Sequence, residues 1–435
     1  MKGVKGAELV EELQRRNLVA QMTSGDDLIA HLDAPRSVYC GFDPTADSLH
    51  IGSLVPLLAL RRLQLAGHKP IALVGGATGL IGDPSHKADE RQLNTADVVS
   101  GWVDRIRTQV SQFVDFDSGG ENSAVVVNNL DWMRGMSALD FLRDVGKHFS
   151  VNAMVQKESV KQRIEREGAG ISFTEFSYLL LQSYDFAELY KRHACTVQLG
   201  GSDQWGNITG GIDLARRLHQ AQVFGLTLPL VTKSDGTKFG KTESGTIWLD
   251  PQKTSPYAFY QFWINSSDAD VYQFLRYFTF ISCDEIDEIE QADAARQGRP
   301  EAQGILASKV TELVHGAAGL REAQRISAAM FSGDVHNLSA EEFGQLHQDG
   351  LPTTGLPSSG LAEIPLTTLL VDAGLAKSGK QVKDALAREA VWVNGQAVAL
   401  SQNMSCEELF AASEALRERY FVVKLGKKSY HLFVR

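Results

Sequence analysis

The sequence predicts an α/β chain: a parallel-sheet domain with helices on both faces, then an all-helical domain, then a small third domain. Three observations carry this. Short apolar runs alternate with helix-period segments over about the first 247 residues; from Pro251 the pattern is helix after helix; and the last 70 residues change in composition and charge.

In chain order, two amphipathic helical stretches, about 7–16 and 26–32, precede the strand candidate "SVYCGF". Further strands are read in "PIALVGG", "AVVVNNLDW" and "CTVQLGG", with helical segments after Ile51, Asp89, Met136 and Asp203. This alternation is what predicts a mainly parallel sheet. Beyond Pro251, "SSDAD" and "SCDE" are capping signals within a helical region. Gly350 to Pro365 is rich in Gly, Pro, Ser and Thr without a period and reads as linker. The expected boundaries are therefore 1–247, 248–335, a linker over 336–365, and 366–435. The last segment holds ten Lys or Arg against seven Asp or Glu, so it contributes +3 to a total of -10 and leaves -13 on the remainder. A basic tail of this kind suits contact with a polyanion. No internal repeat is present.

The bulk composition narrows the function classes. With 43% hydrophobic and 22% charged residues the chain is globular rather than disordered. A charge of -10 argues against coating nucleic acid along the whole surface, though not against a local basic patch. The four cysteines, Cys40, Cys195, Cys283 and Cys406, lie far apart without CxxC, which predicts reduced thiols and no metal cage. The amino-terminal stretch lacks an apolar signal core, and no apolar run reaches the ~18 residues of a membrane span. The expectation is a soluble, cytoplasmic protein with no membrane partner.

Four segments carry chemistry. In "CGFDPTADSLHIGSLVP", His50 sits where a strand's carboxyl end hands over to a helix start, a position that favours phosphate because the first helical N–H groups lack partners. A surface cap is the plainer reading of one histidine, and Asp43 and Thr45 are ordinary turn residues. In "VTKSDGTKFGKTESGTIW", Lys238 and Lys241 lie on a loop bracketed by Gly236 and Gly240, suited to closing on a triphosphate as charge develops on pyrophosphate. A solvated turn is the alternative there. In "ISFTEFSYLLLQSYDFAELY", Ser172 and Glu175 form a capping box that starts a helix near Phe173. Tyr178, Gln182 and Asp185 then fall on one face of an otherwise apolar helix. Such a stripe must find partners, either in an internal network or in a polar ligand, and Tyr39, Cys40 and Asp83 are candidates for the same crevice. In "VQLGGSDQWGN", Gly200 and Gly201 permit close backbone approach and Asp203 suits ribose hydroxyls. "GGATGLIGD" is not a dinucleotide fingerprint, because it lacks the GxGxxG spacing.

In this order and at these separations, the motifs resemble the bacterial type of tyrosyl-tRNA synthetase, a class I aminoacyl-tRNA synthetase, over almost the whole chain. His50-Ile51-Gly52-Ser53 resembles the HIGH motif and Lys238-Phe239-Gly240-Lys241-Thr242 the KMSKS loop in its KFGKT form. Ser53 in place of the last His and Phe239-Gly240 in place of Met-Ser are departures that bear on contacts rather than on function. "GLAKSGKQVKDALAREAVWVNGQAV" is similar to the S4 RNA-binding motif.

The resemblance implies a Rossmann-like catalytic domain, a helical anticodon-side domain and an α+β S4-like RNA-binding domain. It implies that tyrosine is activated by ATP to tyrosyl-adenylate with release of pyrophosphate, then transferred to the 3' end of tRNA(Tyr). Tyr39 and Asp185 would bind the substrate phenol; Asp83, Tyr178 and Gln182 its ammonium group; Gln204 its carboxyl end. Cys40, Gly201 and Asp203 would meet the ribose and Asp43 the α-phosphate, with Gly41, Gly52, Ser53 and Thr242 completing the ATP site. Thr45 and His50, opposite Lys87, Arg91, Lys238 and Lys241, would grip the pyrophosphate. ATP with Mg2+ would be substrate, with no resident cofactor or metal site, no DNA partner, and a homodimer as the assembly. Three rivals remain at this point. One is a tryptophanyl-tRNA synthetase of the same architecture, one a synthetase-like RNA-binding protein without catalysis, and one a nucleotidyltransferase with a similar His motif.

Overall fold

The computed structural model describes the chain apart from residues 1–4, 84–94, 118, 158–159, 162–163, 165–170, 238, 243–244, 358–359, 398–404, 412–413 and 427–428. It divides into two compact units, one of Met1–Leu249 with Ser267–Ala302, the other of Asp250–Ser266 with Gln303–Arg435.

The first unit is built on a six-stranded sheet. Its labelled elements are α1 (Gly6–Arg15), β1 (Gln21–Met22), α2 (Gly25–His31), β2 (Ser37–Phe42), α3 (Leu54–Leu65), β3 (Lys69–Val74), α4 (Thr78–Ile81), α5 (Ala96–Val110), β4 (Val125–Asn128), α6 (Phe173–His193), β5 (Cys195–Gly201), α7 (Trp205–His219) and β6 (Phe224–Leu228). The sheet order is β1-β6-β5-β2-β3-β4, parallel except for β1. The four expected strands are its β2 to β5. The other two were not expected: β1 pairs through two residues only, and β6, "FGLTL", follows an αL break at Gln220 that the sequence does not advertise. Strand order reverses between β2 and β5, and ligands of open α/β sheets bind at the carboxyl ends of the strands flanking such a point.

The apolar run of β3 is buried on both faces, as a central parallel strand requires. The segment before α3 forms one 3-10 turn, Ile51–Ser53. Helix α6 starts where expected, with the Ser172 hydroxyl accepting from the Glu175 N–H. It packs on α7 at a distance that Gly210 sets, because a Cβ there would lie 2.7 Å from the Ser183 hydroxyl.

The expected all-helical domain over 248–335 is divided between the units. Its α8 (Val271–Phe278) and α9 (Cys283–Ala295) belong to the first. The carboxyl end of α8 is capped by two buried guanidinium groups: Arg16 donates to the carbonyls of Arg276 and Ile281, and Arg62 of α3 to that of Thr279. These contacts cross more than 200 residues of sequence, so no local pattern announces them.

The second unit holds α10 (Ala302–Ser332, broken at Gly316), α11 (Ala340–Gln345), α12 (Leu366–Asp372) and α13 (Gly379–Ala387). They flank a five-stranded sheet ordered β11-β10-β12-β13-β9, where β9 is Thr353–Gly355, β10 Val391–Val393, β11 Gln396–Ala397, β12 Tyr420–Leu425 and β13 Ser429–Val434. Both faces of β12 are buried. Phe421, Val423 and Leu425 join Leu370, Val382 and Leu386, while Tyr420 and Val422 join Ile326, Met330, Phe343 and Leu346.

That second cluster corrects the linker expected over 336–365. Leu338, Phe343 and Leu346 are core, α11 has a complete capping box from Ser339 and Glu342, and Thr353–Gly355 pairs in parallel with β13. Composition misled because a three-residue strand held by its partner has no period of its own.

Candidate active site

A cavity of about 220 Å3 opens at the carboxyl ends of β2 and β5. Its wall holds Tyr39, Cys40, Gly41 and Asp43 from β2 and the turn after it, Asp83 after α4, Tyr178, Gln182 and Asp185 from α6, and Gly201, Asp203 and Gln204 from β5 and the turn that follows. Eleven of the residues expected from sequence thus line one space.

At its deep end Asp185 is 1% exposed. Its two carboxylate oxygens accept from Trp132 Nε1 at 2.8 Å and Asn129 Nδ2 at 3.0 Å. Burial pushes the Asp185 carboxyl up to about 7, with the two donors opposing and the Asp43 charge adding. The Tyr39 hydroxyl is buried beside it without a hydrogen-bond partner, and burial, reinforced by the Asp185 charge, holds that phenol neutral. A neutral donor and a carboxylate, both buried, match a ligand whose tip both accepts and donates, as a phenol does.

Asn129 extends the network. It also donates to the Thr78 hydroxyl at 3.0 Å and accepts from the Ala77 N–H at 2.7 Å. Thr78 and the Tyr178 hydroxyl each donate to the Asp43 carboxylate at 2.6 Å. Asp43 is therefore engaged with α6 and α4. Nearer the mouth, Gln204 donates to Asp83 at 2.7 Å and to Asp203 at 3.1 Å, and Asn207 donates to Gln182 and Gln204. Burial pushes the Cys40 thiol up to about 12, so it stays protonated as a weak donor.

Asn129, Trp132, Thr78 and Asn207 were missed by sequence reasoning. A signal existed for the first two: polar residues at the end of "VVVNNLDW" occupy the same strand-end position as those of β2 and β5.

His50, exposed, caps the turn Ile51–Ser53: its Nδ1 accepts from the Gly52 N–H at 3.0 Å, so in the neutral ring the hydrogen sits on Nε2. Thr45 is exposed in the turn after β2. Neither lines the cavity. Lys87, Arg91 and Lys238 lie outside the described residues, and Lys241 and Thr242 form the backbone of a short hairpin, β7 (Lys241–Thr242) with β8 (Gly245–Thr246).

The two signature segments are joined directly. His50 bridges Trp248, the Ile51 N–H donates to the Ile247 carbonyl and the Leu249 N–H to the Leu49 carbonyl, both at 2.9 Å. Gly240, at φ 77, leaves no room for a side chain, since a Cβ would meet Ile51 at 2.5 Å. Phe239 lies against Phe278 and Phe274 of α8, each with ring centroids 5.2 Å apart.

Among the described residues, no group of three or more His, Cys, Asp or Glu is arranged to hold a metal ion. No described helix is long and apolar enough to cross a membrane. All four cysteines are buried and free of disulfides.

A parallel sheet whose strand order reverses, a polar cavity at that point, and a His-Ile-Gly turn laddered to the segment that follows the Lys241–Thr246 hairpin fit a class I aminoacyl-tRNA synthetase. The family described as tRNA synthetases class I (W and Y) matches residues 32–332, and the Tyrosine--tRNA ligase SYY-like C-terminal domain matches 342–433. A tyrosine-tRNA ligase of Aliivibrio salmonicida is 61% identical over 428 residues, 98% of either chain. One of Yersinia pseudotuberculosis is 57% identical over 427 residues, with the same coverage. The solved C-terminally truncated mitochondrial tyrosyl-tRNA synthetase of Aspergillus nidulans superposes with a TM-score of 0.66 at 29% identity, covering 74% of this chain and 94% of its own.

The chain belongs to the bacterial-type tyrosyl-tRNA synthetases, and its activity is that of a tyrosine-tRNA ligase. The tryptophanyl, non-catalytic and nucleotidyltransferase alternatives fall away with that assignment.

Proposed function

We propose that the cavity binds the tyrosine side chain against Tyr39 and Asp185, and that the observation carrying this is an unpartnered buried hydroxyl beside a carboxylate already held by two donors. The phenol donates to Asp185 and accepts from Tyr39. Its ammonium group sits among Asp83, Tyr178 and Gln182, which line the same cavity. Asp43 acts here too, orienting Tyr178 and adding negative charge opposite the ammonium, rather than facing the α-phosphate, where two anions would repel. Gln204 faces the substrate carboxylate. Cys40, Gly41, Gly201 and Asp203 meet the ribose.

The tyrosine carboxylate attacks the α-phosphorus of ATP, a P–O bond forms, and the bond to pyrophosphate breaks. The nucleophile is already ionised, so alignment and charge stabilisation suffice without a general base. His50 Nε2–H and Thr45 donate to phosphate oxygens, Gly52 and Ser53 offer backbone at the helix start, and Lys87, Arg91, Lys238, Lys241 and Thr242 meet the leaving group. Magnesium enters on the phosphates of ATP as part of the substrate.

Three further parts of the reading concern the whole molecule. The second unit carries tRNA(Tyr), with Lys377, Lys380 and Lys383, all exposed around α13, contributing charge. Two chains pair through the stretch holding Leu139, 79% exposed, Val151 and Phe173, 75% exposed, an apolar patch unlike a solvated surface. The protein works in the cytoplasm, where four unpaired thiols persist.

The test is single-turnover adenylate formation in Lys238→Ala and Lys241→Ala. The rate should fall by roughly 10²–10³-fold while tyrosine affinity stays within about twofold, as for groups that act on charge developing in the transition state. An equal loss in tyrosine affinity would contradict the assignment.

A further inference from the structure

The second unit carries an aromatic surface that its fold does not use. Along β10, Val391 and Val393 are fully buried, while Trp392 between them is 39% exposed. Trp392 pairs with Lys424 on β12, and Lys424 with Tyr430 on β13, so the three side chains form one row across three adjacent strands. The Lys424 ammonium lies 6.0 Å from the Trp392 ring centroid and 5.0 Å from that of Tyr430.

The same sheet face is covered further along by Ile326, Met330, Phe343 and Leu346. Cover ends at the row. There the Tyr430 hydroxyl donates to the Met330 carbonyl at 2.7 Å, and the next residue, Phe331, is 93% exposed. The β10-β11 turn, Asn394-Gly395 with both residues at positive φ, packs its glycine on the Gly333 carbonyl with no room for a side chain. The end of α10 and the hairpin are thereby held together, with Phe331 two residues before one side of that contact and Trp392 three residues before the other.

We propose that Trp392 and Phe331 stack unpaired bases of the tRNA substrate, with Lys424 neutralising the backbone beside them. This rests on the reading that the second unit carries the tRNA. A nucleic acid suits the patch better than a protein partner or a second copy of the chain. Flat rings interleaved with an ammonium group match alternating bases and phosphates, and Trp392, Lys424 and Tyr430 lie on the segment 366–435, whose net charge is +3 against -13 for the remainder, with Phe331 at its border outside that segment. Stacking tolerates any base, so the surface positions a loop while sequence is read elsewhere.

The experiment uses the full-length protein and tRNA(Tyr) transcript, measuring Kd across a salt series together with tyrosine-dependent pyrophosphate exchange. Trp392→Ala and Phe331→Ala should each weaken tRNA binding by roughly five- to 100-fold with an unchanged slope of log Kd against log salt, because stacking releases no counterions. Trp392→Phe should restore most of the affinity. Lys424→Ala should lower the slope by about 0.7–0.9. Exchange should be unaltered throughout, which also reports folding of the catalytic unit, and unchanged far-UV dichroism and melting report the second.

A triple Lys377→Ala, Lys380→Ala, Lys383→Ala variant separates the two levels of inference. If it weakens binding and the aromatic variants do not, the stacking surface is refuted while the tRNA reading stands. If neither set changes Kd, both fail. Loss of self-association in Trp392→Ala or Phe331→Ala at unchanged tRNA affinity would make the patch a protein interface and overturn the proposal.

Discussion

Replacing Asp185 by alanine removes one of the two groups that read the substrate phenol, and the structure sets the size of the effect. A hydrogen bond to a charged group contributes about 1.5–3 kcal/mol, one to the neutral Tyr39 hydroxyl about 0.5–1.5. Phenylalanine forfeits both, so these bonds alone discriminate by roughly 30- to 2,000-fold. The ~10⁵-fold discrimination already known for tyrosyl-tRNA synthetases as a class, not worked out from this pocket, exceeds this, as it should where both groups would be left dry and unpaired. The Asp185 share implies that Asp185→Ala lowers the tyrosine-over-phenylalanine ratio of kcat/KM by at least about 10- to 150-fold. The variant also strands the Trp132 N–H, while Asn129 keeps Thr78, so a stability loss of about 1–3 kcal/mol accompanies it. Pyrophosphate exchange with each amino acid, on protein whose melting has been recorded, reads the ratio. An unchanged ratio in folded Asp185→Ala refutes the role of Asp185 in selecting the phenol.

Three further outcomes follow from the same geometry. The Asp185 carboxyl is raised to about 7 in the empty pocket and the phenol donates to its ionised form, so tyrosine affinity should fall, by up to about tenfold per pH unit, as pH drops below 7. By the same linkage the free protein binds this proton more tightly than the unfolded chain does. Its contribution to stability is full below the ordinary carboxyl range and lost as pH rises through 7; calorimetric titration and melting of wild type and Asp185→Asn check both, and a flat Kd from pH 6 to 8 speaks against it. Phe239→Ala removes two ring contacts worth about 0.5–1.5 kcal/mol each and should slow adenylate formation roughly tenfold at unchanged tyrosine affinity, with Phe239→Tyr restoring it; equal losses in rate and affinity would show that the ring does not act through the loop. Truncation after Ser359 should leave pyrophosphate exchange within about threefold and abolish tRNA charging, and it should raise hydrophobic-dye binding because Phe343 and Leu346 lose Tyr420, Val422 and Leu432; loss of exchange would refute the independence of the first unit.

The parts of the site that were legible obey a local rule. Tyr178, Gln182 and Asp185 stand out because helical period puts three polar groups on one face of an apolar helix, and Tyr39, Gly201 and Asp203 because strand ends precede helix starts. Asn129 and Trp132 share the strand-end position, but that position alone does not give them a partner. What makes them functional is the Asp185 carboxylate, more than 50 residues away, which they hold. Asp43 shows the same limit: by position it is an ordinary turn residue, and only the fold brings Tyr178 and Thr78 to it. The β9 strand inside the expected linker, and the Arg16 and Arg62 caps on α8, are likewise tertiary facts that outweigh local composition.

The most direct test of the central claim is exchange of labelled pyrophosphate into ATP by the wild-type protein without tRNA, run separately with tyrosine, phenylalanine and tryptophan. The Tyr39 and Asp185 pocket predicts exchange with tyrosine and none above background with the other two. Comparable exchange with tryptophan or phenylalanine would contradict the account of how this cavity selects its substrate.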